Sequence, residues 1–293
     1  MSDDVFWALR SKIQEDIGQR GLARLFAHFP GDFEMACRSL AQPAAPQVVI
    51  VTGFYIATAG LPETDGPFGS LLLAEAIVTA GGRALLVSEP WLQHPFELAQ
   101  PERGVELQYL RPEDESDLRS ISKRAPTHLI AIERPGPSWA DQRYRSMMAI
   151  DLTPFHHPTH RWFEAGNRDF VTIGIGDGGN EIGMGKVPAQ TIAEDVIKGD
   201  QTACRTPTDL LIVAGISNWG AYALAAGFLH LRNAALIRSI FDEGWHRQRW
   251  QRAINRNLLV DGRTGVPALA VDGQPWEAYI RRFREIREVA ASG

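Results

Sequence analysis

The stretch VTIGIGDGGNEIGMGKV, residues 171–187, begins as an apolar run of strand length and passes directly into a glycine-rich loop. It holds six glycines together with Asp177, Asn180 and Glu181. Glycine has no Cβ, so the backbone N–H groups of such a loop can approach a ligand closely. The stretch therefore predicts a buried strand that carries a ligand-binding loop at its carboxyl end.

Similar apolar runs recur along the chain and alternate with segments of helical periodicity. The predicted strands are 47–55, 83–88, 105–110, 127–132, 170–176 and 209–216. The predicted helices are 3–17, 68–80, 114–124, 141–149, 189–198, 218–232, 245–256 and 275–290. This alternation predicts an α/β fold, a mostly parallel sheet with helices on both faces, plus helical N- and C-terminal segments.

We predict a single α/β domain over 1–293, in which 1–46 forms an N-terminal helical arm and 47–293 forms the core. The segment LAQPAAPQ (40–47) is rich in proline and alanine, as expected of a short connector between them.

Composition narrows the class of protein. With 44% hydrophobic and 22% charged residues, the 293-residue chain is typical of a soluble globular protein. The net charge of −5 and the scattered Lys and Arg argue against nucleic acid as a partner and favour a small molecule. Cys37 and Cys204 are too few and too far apart for a disulfide framework. We see no signal peptide and no apolar run of about 18 residues, so we predict a cytoplasmic protein with no membrane partner.

Polar residues cluster in four loops that follow predicted strands. The loops are LPETDGPFG (61–69), ERPGP (133–137), GDGGNEIGMG (176–185) and SNWGAY (217–222). Ligands of open parallel sheets bind at the carboxyl ends of the strands. We therefore expect these four loops to converge on one cleft.

Two nucleotide-binding motifs do not match this loop. Gly174, Gly176 and Gly179 satisfy G-x-G-x-x-G, but the next strand, DLLIVAGIS, does not end in the acidic residue that a dinucleotide fold needs. A Walker loop needs Ser or Thr after Gly-Lys, where this chain has Val187. We predict no nucleotide cofactor.

The acidic residues leave two interpretations open. Carboxylate and amide oxygens suit a hard divalent cation or acid–base catalysis. A tight turn whose Asp and Asn cap the next helix would use the same residues. The histidines of PFHHPTH (154–160) lack a zinc pattern and favour a solvated helix start.

Several strings together resemble the D-glutamate cyclase family, specifically its C-terminal cyclase-like domain. They lie between about residue 20 and residue 273: TGF (52–54), PETDGPFG (62–69), ERPG (133–136), IGDGGNEIGMG (175–185), SNWGAYALAA (217–226), VDGRTG (260–265) and VDG (271–273). The resemblance implies an α/β fold and a lyase of the hydro-lyase type, which converts D-glutamate to 5-oxo-D-proline with loss of water.

That reaction needs a general base, a general acid and a cation or hydrogen-bond nest for the developing oxyanion. The candidate catalytic residues are Glu63, Asp65, Glu133, Asp177 and Glu181. The candidate substrate-binding residues are Arg134, Gly176, Gly178, Gly179, Asn180, Ser217 and Asn218. The candidate ligands of a divalent cation, Mg²⁺ or Mn²⁺, are Glu63, Asp65, Asp177 and Glu181.

Three classes of function remain open at this point. The first is the cyclase, acting on a glutamate-like small molecule. The second is a divalent-metal-dependent hydrolase of the phosphoesterase kind, and the third is a non-catalytic protein that binds an acidic metabolite. The sequence also leaves open a homo-oligomer.

Overall fold

The computed structural model describes residues 2–115, 121–166 and 168–292. The strands are Gln47–Thr52 (β1), Tyr55–Ile56 (β2), Leu61–Pro62 (β3), Arg83–Ser88 (β4), Val105–Tyr109 (β5), His128–Ile132 (β6), Val171–Gly176 (β7), Leu210–Val213 (β8), Ala270–Val271 (β9) and Gln274–Pro275 (β10). Six of them form one parallel sheet in the order β5-β4-β1-β6-β7-β8. This confirms the predicted parallel α/β sheet.

The described α-helices vary widely in length. They are Ser2–Ile13, Ala23–Ala27, Asp32–Ala41, Pro67–Thr79, Gln93–Ala99, His160–Phe163, Ala189–Asp195, Gly199–Thr202, Ser217–Asn233, Ile237–Ile240, Glu243–Ile254 and Trp276–Ser292. Short 3₁₀ turns cover Pro90–Leu92, Thr153–Phe155 and Ala234–Leu236. None of the described helices is long and apolar enough to span a bilayer.

The two faces of the sheet pack differently. Val48 and Ile50 of β1 face the larger core, which the long helices cover. Val49 and Val51 face a smaller core that includes Trp162. This alternation follows from the two-residue period of a strand, and it explains why the sheet strands read as continuous apolar runs.

The predicted helix 141–149 is wrong, because this segment forms turns. Asp141 Oδ1 accepts the N–H of Arg143 at 3.0 Å, and Ser146 Oγ accepts those of Met148 and Ile150 at 3.2 Å each. Short polar side chains that bond nearby backbone in this way compete with helical hydrogen bonds. The predicted helix 114–124 falls partly on 116–120, outside the described residues.

Candidate active site

Two helices begin beside each other at the carboxyl edge of the sheet, and each is capped from the loop of the other. Asp65, just before Pro67–Thr79, accepts the N–H groups of Ser217 and Asn218 at 2.9 and 2.7 Å. In return, Asn218 Oδ1 accepts the N–H groups of Gly66 and Gly69 at 3.0 and 2.7 Å. The first-turn N–H groups of a helix have no partner within the helix, so these caps fix both helix ends at the site.

We expect Asn218→Ala to lower the free energy of unfolding by roughly 1–2 kcal/mol, because two buried N–H groups lose their acceptor. Urea denaturation measures the change. The matched control is Asn233→Ala, which removes an exposed side chain that accepts one N–H, from Ala235 at 3.2 Å. Equal losses in the two variants would contradict the reciprocal cap.

Three buried carboxyl groups meet next to these helix ends. Asp65, Glu133 and Asp177 each place one carboxylate oxygen within 4.8 Å of the others. We call these three residues the carboxyl cluster. They come from three of the predicted loops, so the convergence of those loops is confirmed for these residues.

The backbone at Glu133 explains how this residue reaches the cluster. Glu133 has a φ of +44°, a left-handed conformation that is costly outside glycine. Gly66 packs so closely against it that a Cβ atom at position 66 would lie 2.8 Å from the Glu133 Cβ. Ser217 Oγ donates to Glu133 Oε2 at 2.5 Å. The turn thus points Glu133 at the cluster, and Ser217 holds it there.

Burial makes the cluster retain protons. It raises the pKa of Asp65 to about 7, with a further contribution from Asp272 and an opposing one from backbone hydrogen bonds. Burial raises the pKa of Glu133 well above its usual range, and Glu181 and Asp65 raise it further. Burial likewise raises the pKa of Asp177, although Arg20 opposes this rise. These carboxyls therefore keep protons at pH values where exposed carboxyls have lost them.

Glu181 organises the glycine loop from within. Its Oε1 accepts the N–H groups of Asp177 and Gly178 at 3.0 and 2.6 Å. Asn180 Nδ2 donates to the carbonyl of Arg145 at 2.8 Å, while its Oδ1 is buried without a partner among the described residues. Asp177 Oδ2 is likewise buried without a hydrogen-bond partner among the described residues. Unpartnered oxygens in a buried acidic site are available to a ligand.

The glycines of this loop differ in what surrounds them. A Cβ atom at Gly178 would lie 2.7 Å from Asn180 Oδ1, and one at Gly176 would lie 3.0 Å from the Glu181 Cβ. At Gly179, where φ is +89°, it would lie 2.8 Å from Ile192 Cγ2. Gly178 and Gly176 thus border the acidic loop, whereas Gly179 is required by packing against a helix.

We expect Gly179→Ala to cost about 1 kcal/mol or more beyond Gly81→Ala, because it adds a clash with Ile192 to the same backbone strain. Gly81 is the matched control: its φ is +91°, and a Cβ atom there would meet nothing within 4 Å. Thermal and urea denaturation of both variants measure the difference. Equal costs would show that Ile192 accommodates the methyl group.

Two predicted residues lie outside the carboxyl cluster. Glu63 lies against the segment between the helix Glu243–Ile254 and β9, where a Cβ atom at Gly262 would be 1.9 Å from its Oε2. Burial raises the pKa of Glu63 well above its usual range, with Asp272 and Asp65 adding to it. Glu63 and Glu181 are therefore neighbours of the cluster. Glu133 belongs to the cluster, although the sequence analysis did not predict it as a metal ligand.

Arg134 points away from the cluster. Its guanidinium donates to Glu89 at 2.6 and 2.5 Å, to the carbonyl of His157 at 2.8 Å and to Thr159 Oγ1 at 3.1 Å. Burial alone would raise the pKa of Glu89, but Arg134 and His156 lower it to about 2. Arg134 thus anchors the 156–159 segment and is already committed to protein acceptors.

Sequence reasoning missed Arg20 and Asp272. Arg20 Nη1 donates to Asp177 Oδ1, and Arg20 Nη2 lies 2.8 Å from Asp272 Oδ2. Burial alone would lower the pKa of Arg20, but Asp177 and Asp272 raise it well above its usual value. The signals in the sequence were the pair of glycines, Gly18 and Gly21, on either side of Arg20, and the VDG string (271–273) that contains Asp272. The sequence pattern therefore assigns the segment around Arg20 to the N-terminal helical arm, 1–46.

Comparison with known proteins identifies the class to which this fold and site belong. Residues 9–287 match the family model described as D-glutamate cyclase-like, C-terminal, so the chain belongs to the D-glutamate cyclase-like family. This confirms the resemblance and extends it beyond 20–273.

A curated human protein, D-glutamate cyclase, mitochondrial, is 28% identical to this chain over 306 residues. The match covers 92% of this chain and 49% of the human protein, so the chain spans about half the length of that relative. The name of this relative places it in mitochondria. The cytoplasmic location of this chain stays a prediction from sequence.

Proposed function

We propose that this chain is a carbon–oxygen lyase of the hydro-lyase type that converts D-glutamate to 5-oxo-D-proline. Family membership supports the class of reaction. The observation that carries the proposal is the cluster of Asp65, Glu133 and Asp177, three carboxyls with oxygens within 4.8 Å of one another and pKa values that burial raises. Removing a carboxylate oxygen as water requires a proton donor of this kind.

The reaction balances without a co-reactant. The α-nitrogen forms a bond to the γ-carboxyl carbon, and one C–O bond of that carboxyl breaks. Of the three protons on the substrate ammonium, one stays on the ring nitrogen and two leave with the oxygen as water. Five-membered ring closure brings the reacting atoms together, so the enzyme has to fold the substrate and move protons.

Glu133 is the proton donor to the departing oxygen, since its raised pKa keeps it protonated and Ser217 Oγ holds its other oxygen. The Asp65 and Asp177 pair accepts the first proton that leaves the nitrogen and passes it to the departing oxygen. Glu133 takes up the second proton after giving its own to that oxygen, so two protons leave with the water and each carboxyl regains its starting state. Burial raises the pKa of Asp65 to about 7, so near neutral pH this carboxyl can both accept and release a proton.

The same cluster fits a divalent cation, because three carboxylates can each direct an oxygen to one point and Asp177 Oδ2 is buried without a described partner. Oxygen donors of this kind suit Mg²⁺ or Mn²⁺. The ligands would be Asp65, Glu133 and Asp177, and the ion would supply Lewis-acid polarisation of the γ-carboxyl.

We expect a manganese soak of crystals to give an anomalous scattering peak among Asp65, Glu133 and Asp177. The control is the Asp177→Asn protein in the same soak, where the peak should weaken or vanish because an amide is a poorer ligand. Density at another group of acids, or at none, would contradict this cation site and leave the acid–base cluster alone.

Proton NMR of D-glutamate with the purified chain tests the proposed function. We expect signals of 5-oxoproline to grow with no nucleotide present, and slower or no growth with L-glutamate. Parallel samples hold manganese or a chelator, and a further sample holds a phosphate ester. Hydrolysis of the ester with neither glutamate enantiomer cyclised would replace the lyase with the hydrolase alternative.

A further inference from the structure

We propose that Arg20 binds the α-carboxylate of the substrate, the carboxylate that does not react. This inference rests on the proposed function and adds a binding residue to its site. It starts from charge. Asp65, Glu133 and Asp177 form the buried cluster, Asp272 shares Arg20 with Asp177, and buried Glu63 is close enough for Asp272 and Asp65 to raise its pKa. Glutamate brings two further carboxylates, so a cationic partner has to receive at least one of them.

Arg20 is the cation that the described residues place at this point. It contacts Asp177 and Asp272, and its side chain is 12% exposed, against 3% and 8% for these two partners. Arg134 is the other buried arginine beside the cluster, and its donors go to Glu89, His157 and Thr159. Of Arg20, Asp177 and Asp272, Arg20 has the most exposed side chain and so is the easiest for a ligand from solvent to reach.

The donors of Arg20 are only partly used. Nη1 reaches Asp177 Oδ1 and, at 3.3 Å, the Asp177 carbonyl, while Nη2 lies 2.8 Å from Asp272 Oδ2. Guanidinium carries five N–H groups in a plane and binds carboxylates through two parallel bonds. Among the described residues, the hydrogen bonds of the Arg20 guanidinium all come from Nη1, so the N–H groups of Nε and Nη2 remain for a ligand, although Nη2 is also ion-paired with Asp272.

The segment that carries Arg20 is held firmly. The Asp16 carboxylate accepts the N–H groups of Arg20, Gly21 and Leu22 at 2.8, 3.0 and 3.1 Å. A Cβ atom at Gly21 would lie 1.8 Å from the Asp195 carbonyl oxygen, so this turn packs directly on its neighbour. A guanidinium on such a turn is preorganised to hold a ligand in one orientation.

The assignment to the α-carboxylate follows from the chemistry. The γ-carboxyl has to lie at the proton donors, because its oxygen leaves. Arginine does not release its proton in this pH range, so Arg20 cannot supply one to the leaving oxygen. It can hold a carboxylate that stays intact and so fix the direction of the chain in the site.

The test compares D-glutamate with its α-amide, D-isoglutamine, whose amine and γ-carboxylate are unchanged. The wild-type protein should prefer D-glutamate in kcat/KM by about 10- to 100-fold, since a charged bidentate contact is lost with the amide. In Arg20→Ala this preference should fall to near one. The dissociation constants of both compounds, measured by calorimetry for both proteins, should change in the same way.

Two further variants separate binding from folding. Gly18→Ala keeps the guanidinium but would place a methyl group 2.8 Å from Arg20 Nε, so it should shrink the preference without removing it. Arg24→Ala, in the same segment, removes only exposed ion pairs with Glu194 and Asp195 and should leave both substrates unaffected. Thermal melts confirm that each variant is folded.

Each outcome decides a separate point. A full preference retained in Arg20→Ala, or equal losses for both compounds, would overturn the role of Arg20 while leaving the lyase in place. Wild-type protein that binds D-glutamate more tightly than the amide but forms no ring would sink the proposed function and keep the Arg20 contact. Wild-type protein that binds neither compound would overturn both.

Discussion

Asp177→Asn is expected to lower kcat for ring closure by about a hundredfold or more, because the amide can neither hold nor pass on the proton that the carboxyl carries. Asn has almost the same shape as Asp, so the loop that Glu181 organises should persist. Steady-state kinetics with D-glutamate measures the loss, and thermal denaturation shows that the protein is folded.

Asp209→Asn is the matched control for this substitution. Asp209 lies at the opposite end of β7 and β8 from Asp177, where its Oδ2 accepts the N–H of Thr172 at 2.8 Å. Changing it should lower stability and leave turnover near the wild-type value. Turnover in Asp177→Asn equal to that of this control would remove Asp177 from the reaction.

Glu133→Gln should change activity and stability in opposite directions. Activity should fall by about a hundredfold, because the proton donor is lost. Stability at pH 7–8 should rise, because ionisation of the buried carboxyl is suppressed in the folded protein while the unfolded chain ionises freely. Ser217 Oγ can still donate to the amide oxygen, so the local geometry is kept.

The stability gain of Glu133→Gln over the wild type should depend on pH. Below about pH 4, Glu133 is protonated in both the folded and the unfolded chain, so the glutamine variant should match the wild type. As pH rises, the wild type loses stability because its unfolded state ionises first, and the gain of the variant should grow. Urea denaturation in chelator at several pH values measures this.

Glu106→Gln is the control for the pH series, since Glu106 is at the surface in an ion pair with Arg124 at 2.7 Å. It should show no gain that grows with pH. A Glu133→Gln variant that is less stable than the wild type at pH 7–8 would mean that the ionised carboxylate is stabilised in place, and Glu133 would then be no proton donor.

The sheet was predictable because its strands are buried on both faces. Val48 and Val49 pack into different cores, so each sheet strand is a continuous apolar run that can be found without knowing its partners. The helix prediction for 141–149 is wrong for a local reason. Asp141 and Ser146 accept hydrogen bonds from the nearby backbone, and the spacing of apolar residues gives no information about such bonds.

The candidate site was predictable only in part. The glycine-rich loops after strands indicated Asp65, Glu133 and Asp177 as candidate site residues, because the carboxyl ends of parallel strands share one edge. The left-handed turn at Glu133 decides which carboxylate oxygens come together, and the types of residue in the loop do not predict that turn. Arg20 and Asp177 are 157 positions apart, so their contact arises from tertiary packing of a segment with no motif of its own.

The proposed reaction removes one γ-carboxyl oxygen of D-glutamate as water while the ring closes. D-glutamate labelled with ¹⁸O in both γ-carboxyl oxygens tests it most directly, with mass spectrometry of the product and the solvent and no nucleotide present. We expect 5-oxoproline that keeps one labelled oxygen in its ring carbonyl, with the other recovered in water. Unchanged labelled glutamate, or ring product whose carbonyl oxygen comes from the solvent, would contradict it.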